Sequence, residues 1–462
     1  MKDLRALERA GSAPAVHDPA AGWVSYERLA ELADEAVAAL PPRTLFALEF
    51  DASVQCVAAY LGALRHGHVP LLVDTALAPE LRQRLYAHFG VAQAFDGRAW
   101  RTKDVTPAEA PALHPQLGVL MSTSGSTGSP KLVRLSAANL QANAESIVSY
   151  MGLGADDRAI SSLPLHYSYG LSVLNSHLVA GGSVVLGEHA VAQAAFWQQV
   201  REHGVTGLAG VPTTWRLLRR LRFERMSLPA LRLMTQAGGR LDPEEVRWLA
   251  GVATSNGRRL FIMYGQTEAT ARIAYLPPDL ARDKAGSIGQ AIPGGTLGLL
   301  AADGTRIESS GVEGEIVYRG PNVMLGYAER AADLALGRMT DELRTGDLAY
   351  RDDDGHYWIT GRLRRFIKLF GNRFGLDEVE QHVRSLGHEA AATGRDDCLM
   401  IGLVGDDAQA GALREALAAT YRIHPSAIVV QPLPALPRNS AGKVQHAELM
   451  AQLDAAPTAA PA

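Results

Sequence analysis

The chain is predicted to be an α/β protein, with a large N-terminal domain of layered sheets and helices and a small α+β C-terminal domain. Three observations predict this. Helical patterns alternate with short apolar runs as far as Tyr264, short segments punctuated by Gly, Asp and Asn follow from about Gly286, and a new unit begins after Gly361.

In the first part, Tyr26 to Leu40 has apolar residues at helical spacing and Leu45 to Phe50 reads as a strand. Val54 to Arg65 is helical again and His68 to Val73 is a second strand. The rhythm continues through Leu117 to Met121, Ala159 to Leu163, Gly182 to Leu186, Val205 to Val211, Leu231 to Ala237 and Leu260 to Tyr264. Parallel strands covered by helices are expected. Gly314 to Arg319 and Tyr357 to Thr360 suggest a more antiparallel region. Asp377 to Ser385, Cys398 to Val404, Ala408 to Thr420 and Ala427 to Pro432 read as helix, strand, helix, strand. The tail 455–462, rich in Ala, Pro and Thr, is expected to be disordered.

Composition narrows the function classes. With 462 residues, 47% hydrophobic and 20% charged, the chain has ample apolar surface for one large and one smaller domain. A net charge of −4, without long like-charge blocks, gives no footprint for nucleic acid or an anionic membrane. Cys56 and Cys398 lie far apart without neighbouring ligands, so both are read as buried core thiols rather than a disulfide or zinc site. Charged residues interrupt Met1 to Ala10, and no apolar run approaches a membrane span, so a cytoplasmic protein without a membrane span is expected.

The segment Ser122-Thr-Ser-Gly-Ser-Thr-Gly-Ser-Pro-Lys131 has the composition of a phosphate cradle. Gly125 and Gly128 free backbone amides to converge on an anion, the hydroxyls from Ser122 to Ser129 can donate to its oxygens, and Lys131 supplies a point charge. A solvated connector has a similar composition. The context, a strand before it and a helix from Ala137 to Tyr150 after it, favours phosphate. It is not a Walker loop, since only two residues separate Gly125 from Gly128.

A second cluster, Tyr264-Gly265-Gln266-Thr267-Glu268, follows an apolar run, where a strand end presents side chains at the carboxyl edge of a sheet. It offers a stacking face for adenine, a phosphate donor and a magnesium-directed carboxylate. A polar turn capped by Thr267 is the alternative. Three more clusters are Arg344-Thr-Gly-Asp347, the run Gly361 to Lys368 followed by Gly371 to Gly375, and Pro437-Arg-Asn-Ser-Ala-Gly-Lys443.

In this order, over residues 25 to about 450, the five clusters resemble the adenylate-forming superfamily of acyl-CoA synthetases, adenylation domains and beetle luciferases. The resemblance implies an N-terminal ATP- and acid-binding domain (1–361) and a mobile C-terminal domain (362–454), turning about a hinge near Arg364 between two half-reactions. Arg364-Arg365 departs from the Asp or Lys common at the hinge, and Ala441 stands where many relatives carry Ser.

The resemblance also implies roles. A carboxylate attacks the α-phosphorus of ATP, with Mg²⁺, to give acyl-AMP, and a pantetheine thiol of CoA or of a separate acyl carrier protein then takes the acyl group. Thr123, Ser124, Ser126, Thr127 and Lys131 would hold the β- and γ-phosphates, Thr267 and Glu268 the α-phosphate and the metal. Tyr264 would lie against adenine with Gly238 and Gly239 near its other face, Asp347 and Arg362 would fix the ribose, and Lys443 would bridge the carboxylate and the α-phosphate. Lys368 would enter the site for thioester formation, and a solvated strand charge is the other reading of it.

Amino-acid-activating relatives hold the substrate ammonium with an Asp in the segment after Leu163. Here Leu163-Pro-Leu-His166-Tyr167-Ser-Tyr169-Gly-Leu171 contains no carboxylate, so a fatty, hydroxy or aryl acid is expected. His166, Tyr167 and Tyr169 resemble the cluster lining the acyl pocket and thiol tunnel. A stand-alone enzyme that loads an amino acid on a carrier protein is the alternative.

Overall fold

The computed structural model describes residues 3–102, 111–122, 131–187, 189–363, 365–369, 372–395, 397–421, 423–440 and 442–455. Two compact units emerge: Met1–Leu297 with Val317–Leu343, and Gly298–Ile316 with Arg344–Ala462.

The first unit carries two large sheets. In the nine-stranded sheet, Arg259–Tyr264, Leu233–Gln236, Gly207–Gly210, Arg158–Ile160, Ser183–Val185 and Pro14–Asp18 run parallel. Antiparallel strands flank them: Ala274–Leu276 and Gln290–Ala291 at one edge and Gly22–Ser25 at the other. The seven-stranded sheet runs in the order Gly326–Ala328, Leu132–Leu135, Val119–Ser122, Val69–Val73, Leu45–Glu49, Gln93–Phe95, Trp100–Thr102. The expected α/β alternation and its parallel core are present.

Two helices, Val54–His66 and Ser168–Ala180, are buried along nearly their whole length. Apolar and small residues predominate on every face of each, so most of each helix can be covered, with Gln55 and His66 the exposed positions. Local chemistry sets their ends: Ser53 caps the first by accepting from the Cys56 amide, and Gly67 (φ 75°) ends it in the left-handed conformation.

Two sequence expectations need correction. The run through Leu132 and Val133 does not lead directly into the following helix but forms a four-residue strand, Leu132–Leu135, that returns antiparallel to Val119–Ser122. Arg134, fully buried at its centre, disguises the strand; its guanidinium is satisfied by backbone carbonyls, including Tyr327 at 3.1 Å and Gly337 at 3.3 Å. The helix Ala137–Met151 begins only after this strand, in a capping box that satisfies the amides of Ser136 and Asn139. The strand–loop–helix argument for phosphate therefore does not apply. Secondly, Cys56 is buried as expected but Cys398 is only half-buried.

The second unit holds most of a four-stranded sheet of Thr296–Leu300, Gly314–Arg319, Leu343–Arg351 and Tyr357–Arg362 and a hairpin of Phe366–Leu369 with Asn372–Gly375. A three-stranded sheet follows, ordered Ala390–Arg395, Cys398–Val404, Ile428–Leu433. Its helices Leu376–Ser385 and Asp407–Tyr421 fall where periodicity put them. Ala390–Arg395 escaped the sequence reading because its Ala-rich run has low strand propensity and is held by six ladder pairs with Cys398–Val404.

Candidate functional site

The best-defined cluster lies in the first unit, where Arg259–Tyr264 ends at the carboxyl edge of the parallel sheet. There a tight turn is enforced at Gly265: a Cβ would stand 1.9 Å from the carbonyl oxygen of Ala271. Thr267–Ala269 form a single 3₁₀ turn without a side-chain cap, so the Thr267 hydroxyl is not spent as a helix cap and instead meets the Ser168 hydroxyl at 3.2 Å. Glu268 is fixed twice, its carbonyl accepting from the Met324 amide at 2.9 Å and its Oε1 from the Tyr327 hydroxyl at 2.8 Å. Gln266 Nε2 lies 3.4 Å from the Tyr264 hydroxyl.

Tyr327 also joins this cluster to the Ser/Gly-rich segment. Lys131 Nζ sits 3.7 Å above the Tyr327 ring and 3.7 Å from Glu329 Oε1. Thus one tyrosine holds the lysine with its ring face and the glutamate with its hydroxyl. Nothing in the local sequence marks it; Tyr327 reaches both because Gly326–Ala328 pairs with Leu132–Leu135 across a long separation in sequence. Thr123, Ser124, Gly125, Ser126, Thr127 and Gly128 lie outside the described residues.

Beside this cluster, Gly238 takes φ 83°, and a Cβ there would come within 2.7 Å of the Tyr167 hydroxyl. The Gly239 carbonyl accepts from Gln236 Nε2 at 2.8 Å. Burial pushes the Tyr167 hydroxyl up to about 12, and the nearby Arg272 cation opposes that rise. Tyr169 is buried, with its hydroxyl 2.8 Å from that of Thr235. His166 Nε2 is 3.4 Å from Asp74 Oδ2, a carboxylate that the local segment did not reveal. Arg272, also missed, places its guanidinium 4.1 Å from the centre of the Tyr169 ring.

The remaining residues belong to the second unit. Asp347 is 2% exposed and accepts from Arg362 Nε at 2.8 Å, the two facing each other across an antiparallel ladder. Lys443 sits in a turn in which its amide donates to Asn439 Oδ1 and its carbonyl accepts from the Asn439 amide, both at 2.9 Å. Lys368 pairs in backbone register with Arg373, and Arg364 lies outside the described residues. Arg365 is committed within its own unit: it pairs with Asp377 and with Glu380 at 2.8 Å, and donates to the Ala392 carbonyl at 2.9 Å.

Residues 92–328 match the family described as AMP-binding enzyme. Over 302 residues the chain is 37% identical to a sulfoacetate–CoA ligase of Cupriavidus necator, covering 63% of this chain and 55% of that protein. Over 361 residues it is 33% identical to an indoleacetate–CoA ligase of Aromatoleum aromaticum, covering 75% of this chain and 69% of the relative. The match thus spans little more than half of the first relative's length. The fold is similar to that of an o-succinylbenzoate CoA synthetase from Bacillus subtilis, solved with its acyl-adenylate intermediate, at a TM-score of 0.79 and 24% identity, covering 97% of this chain and 98% of that one.

Proposed function

We propose, from the premise that this chain belongs to the AMP-binding enzyme family, that it is an AMP-forming ligase that converts a carboxylic acid without an α-amino group to an acyl adenylate and then to a thioester of CoA. The observation that carries this reading is the Thr267–Glu268 turn at the sheet's carboxyl edge, joined through Tyr327 to Lys131.

Those residues fit a nucleotide and its metal. Glu268 offers a hard carboxylate ligand, Thr267 and Ser168 offer hydroxyls, and Gly238 lets the Tyr167 hydroxyl come close to the backbone, where a Cβ would stand 2.7 Å from it. Glu268 would hold Mg²⁺, which offsets the charge of the phosphates during in-line displacement. Lys131, with Thr123, Ser124, Ser126 and Thr127, holds the β- and γ-phosphates over the backbone of Gly125 and Gly128. Thr267 donates to the α-phosphate. Tyr264 and the Gly265-Gln266 backbone bound the adenine site with Gly238 and Gly239, and Asp347, oriented by Arg362, accepts from the ribose hydroxyls. Lys443 stabilises the charge that develops as the carboxylate attacks phosphorus, and His166, Tyr167 and Tyr169 line the path of acid and thiol.

For the thioester step, the proposal divides the chain at residues 361 and 362, with Arg364 as the turning point and Lys368 serving the second half-reaction. CoA is the acceptor by analogy with the named relatives; loading of a separate acyl carrier protein is the competing outcome. A cytoplasmic location is part of the proposal, consistent with two unpaired cysteines.

An amino-acid substrate is disfavoured because the segment Leu163 to Leu171 carries no carboxylate to pair an α-ammonium. The test is ATP–pyrophosphate exchange with Mg²⁺ over a panel of fatty, hydroxy, aryl, dicarboxylic and amino acids, followed by addition of CoA or a phosphopantetheinylated carrier. Exchange with a non-amino acid and thioester formation on CoA are expected. Exchange with amino acids alone would overturn the substrate class, and transfer to the carrier alone would overturn CoA as acceptor.

A further inference from the structure

Arg272 is a buried cation of the first unit. It is 2% exposed, its Nε has no hydrogen-bond partner, and among the described residues no Asp or Glu pairs with it. Its surroundings are aromatic: the Tyr169 ring lies 4.1 Å away, and its charge acts on the Tyr150 hydroxyl, which donates to Met263 Sδ at 2.9 Å. A buried cation without a counter-anion is strongly disfavoured unless something else supplies the charge.

The backbone also strains to put it there. Thr270 and Ala271, neither of them glycine, take φ 57° and 105°. The surrounding structure holds this turn from several sides. Asn322 Nδ2 donates to the carbonyls of Ala269 at 2.7 Å and Arg272 at 2.8 Å, Asn143 Nδ2 donates to the Arg272 carbonyl at 3.2 Å, and Thr270 Oγ1 donates to the Asn322 carbonyl at 2.6 Å. Such strain persists only where neighbours over-determine it, and it concentrates at ligand sites.

Arg272 lines a small cavity walled by Met151, Leu208, Leu233 and Met263, to which Thr267 and Glu268 do not contribute. Three other polar side chains line it: the Ser176 hydroxyl donates to the Val173 carbonyl at 3.2 Å, the Thr235 hydroxyl lies 2.8 Å from that of Tyr169, and His177 Nδ1 meets the Val173 carbonyl at 2.8 Å while its Nε2 is unpartnered. Burial holds this imidazole below its ordinary value, so it does not balance the arginine as an anion would and does not add a second cation.

We propose that this cavity receives the far end of the acid and that Arg272 there binds a second anionic group, so the substrate is a short acid carrying a distal carboxylate or sulfonate. The inference rests on the ligase reading and adds the substrate class to it. Arg272 pairs with the distal anion, the apolar walls bound the chain between, and the reacting carboxylate stays beside Thr267 and Glu268.

The experiment is ATP–pyrophosphate exchange with matched acids of equal length: butyrate against succinate, hexanoate against adipate, and butyrate against 3-sulfopropionate. In the unmodified enzyme kcat/KM should favour the dianion of at least one pair by on the order of 10²-fold, because a site built to pair a group rejects the analogue lacking it. Arg272→Met should bring that ratio to about one, and Arg272→Lys should restore part of it. If Arg272→Met fails to fold, the ratio in the unmodified enzyme and in Arg272→Lys still decides. Preference for the monoacids in every pair, or an equal loss for both members of each pair in the variants, overturns the inference while leaving the ligase reading intact. Absence of exchange with any acid overturns both.

Discussion

The Tyr327 hydroxyl stands 2.8 Å from Glu268 Oε1 while the same ring carries Lys131 Nζ 3.7 Å above its centre. One side chain therefore orients a carboxylate proposed to hold the metal and a lysine proposed to hold phosphate.

Tyr327→Phe separates these two tasks, since it keeps the ring under Lys131 and removes only the hydroxyl. Loss of one hydrogen bond to a charged group is worth about 1.5–3 kcal/mol. Pyrophosphate exchange should fall by about 10- to 10²-fold and half-saturation by Mg²⁺ should shift upward. An unchanged Mg²⁺ titration would dissociate Tyr327 from the metal.

Lys443→Ala should cripple adenylation yet spare attack of the thiol on supplied acyl adenylate. Removing one preorganised donor typically costs ~3 kcal/mol, or roughly 10²- to 10³-fold in rate. Single-turnover assays of the two half-reactions separate the steps, and equal losses in both would refute the assigned role.

Stability should fall in mild acid because of His446. Burial and then the adjacent Arg365 cation lower its value from 6.5 to about 4. The unfolded chain binds this proton near its ordinary value and the folded chain does not, so stability is full above about 6.5 and declines as pH falls toward 4. The contribution is on the order of 3 kcal/mol over that window. His446→Gln should flatten this part of the urea-denaturation profile against pH; an unaltered slope would assign the acid sensitivity to other groups.

Gly265→Ala would set its methyl carbon 1.9 Å from a backbone oxygen. A backbone clash cannot be relieved by a rotamer change, so destabilisation of more than about 2 kcal/mol is expected, with the Arg272 turn displaced. Gly411→Ala is the control: it lies in the helix Asp407–Tyr421 with no atom within 4 Å of the added carbon, and should stabilise by about 0.5–1 kcal/mol. Thermal melts of the pair would show opposite shifts, and a neutral Gly265→Ala would contradict the tight turn.

The sequence by itself determined the α/β class, the placement of the long helices and the order of the motifs, because hydrophobic periodicity and Gly or Ser punctuation are local signals. Tyr264 to Glu268 was legible for the same reason, being one contiguous turn after one apolar strand. Leu132–Leu135 was not read as a strand, since the fully buried Arg134 breaks its apolar pattern and is satisfied only by carbonyls almost two hundred residues later in the chain. Tertiary structure alone decided that Tyr327 bridges Glu268 and Lys131, that Asp74 meets His166, that Arg365 is spent on Asp377 and Glu380, and that Arg272 is buried without an anion. Those are contacts between segments distant in sequence, and a side chain's charge partner or lack of one depends on which strands the sheet brings side by side.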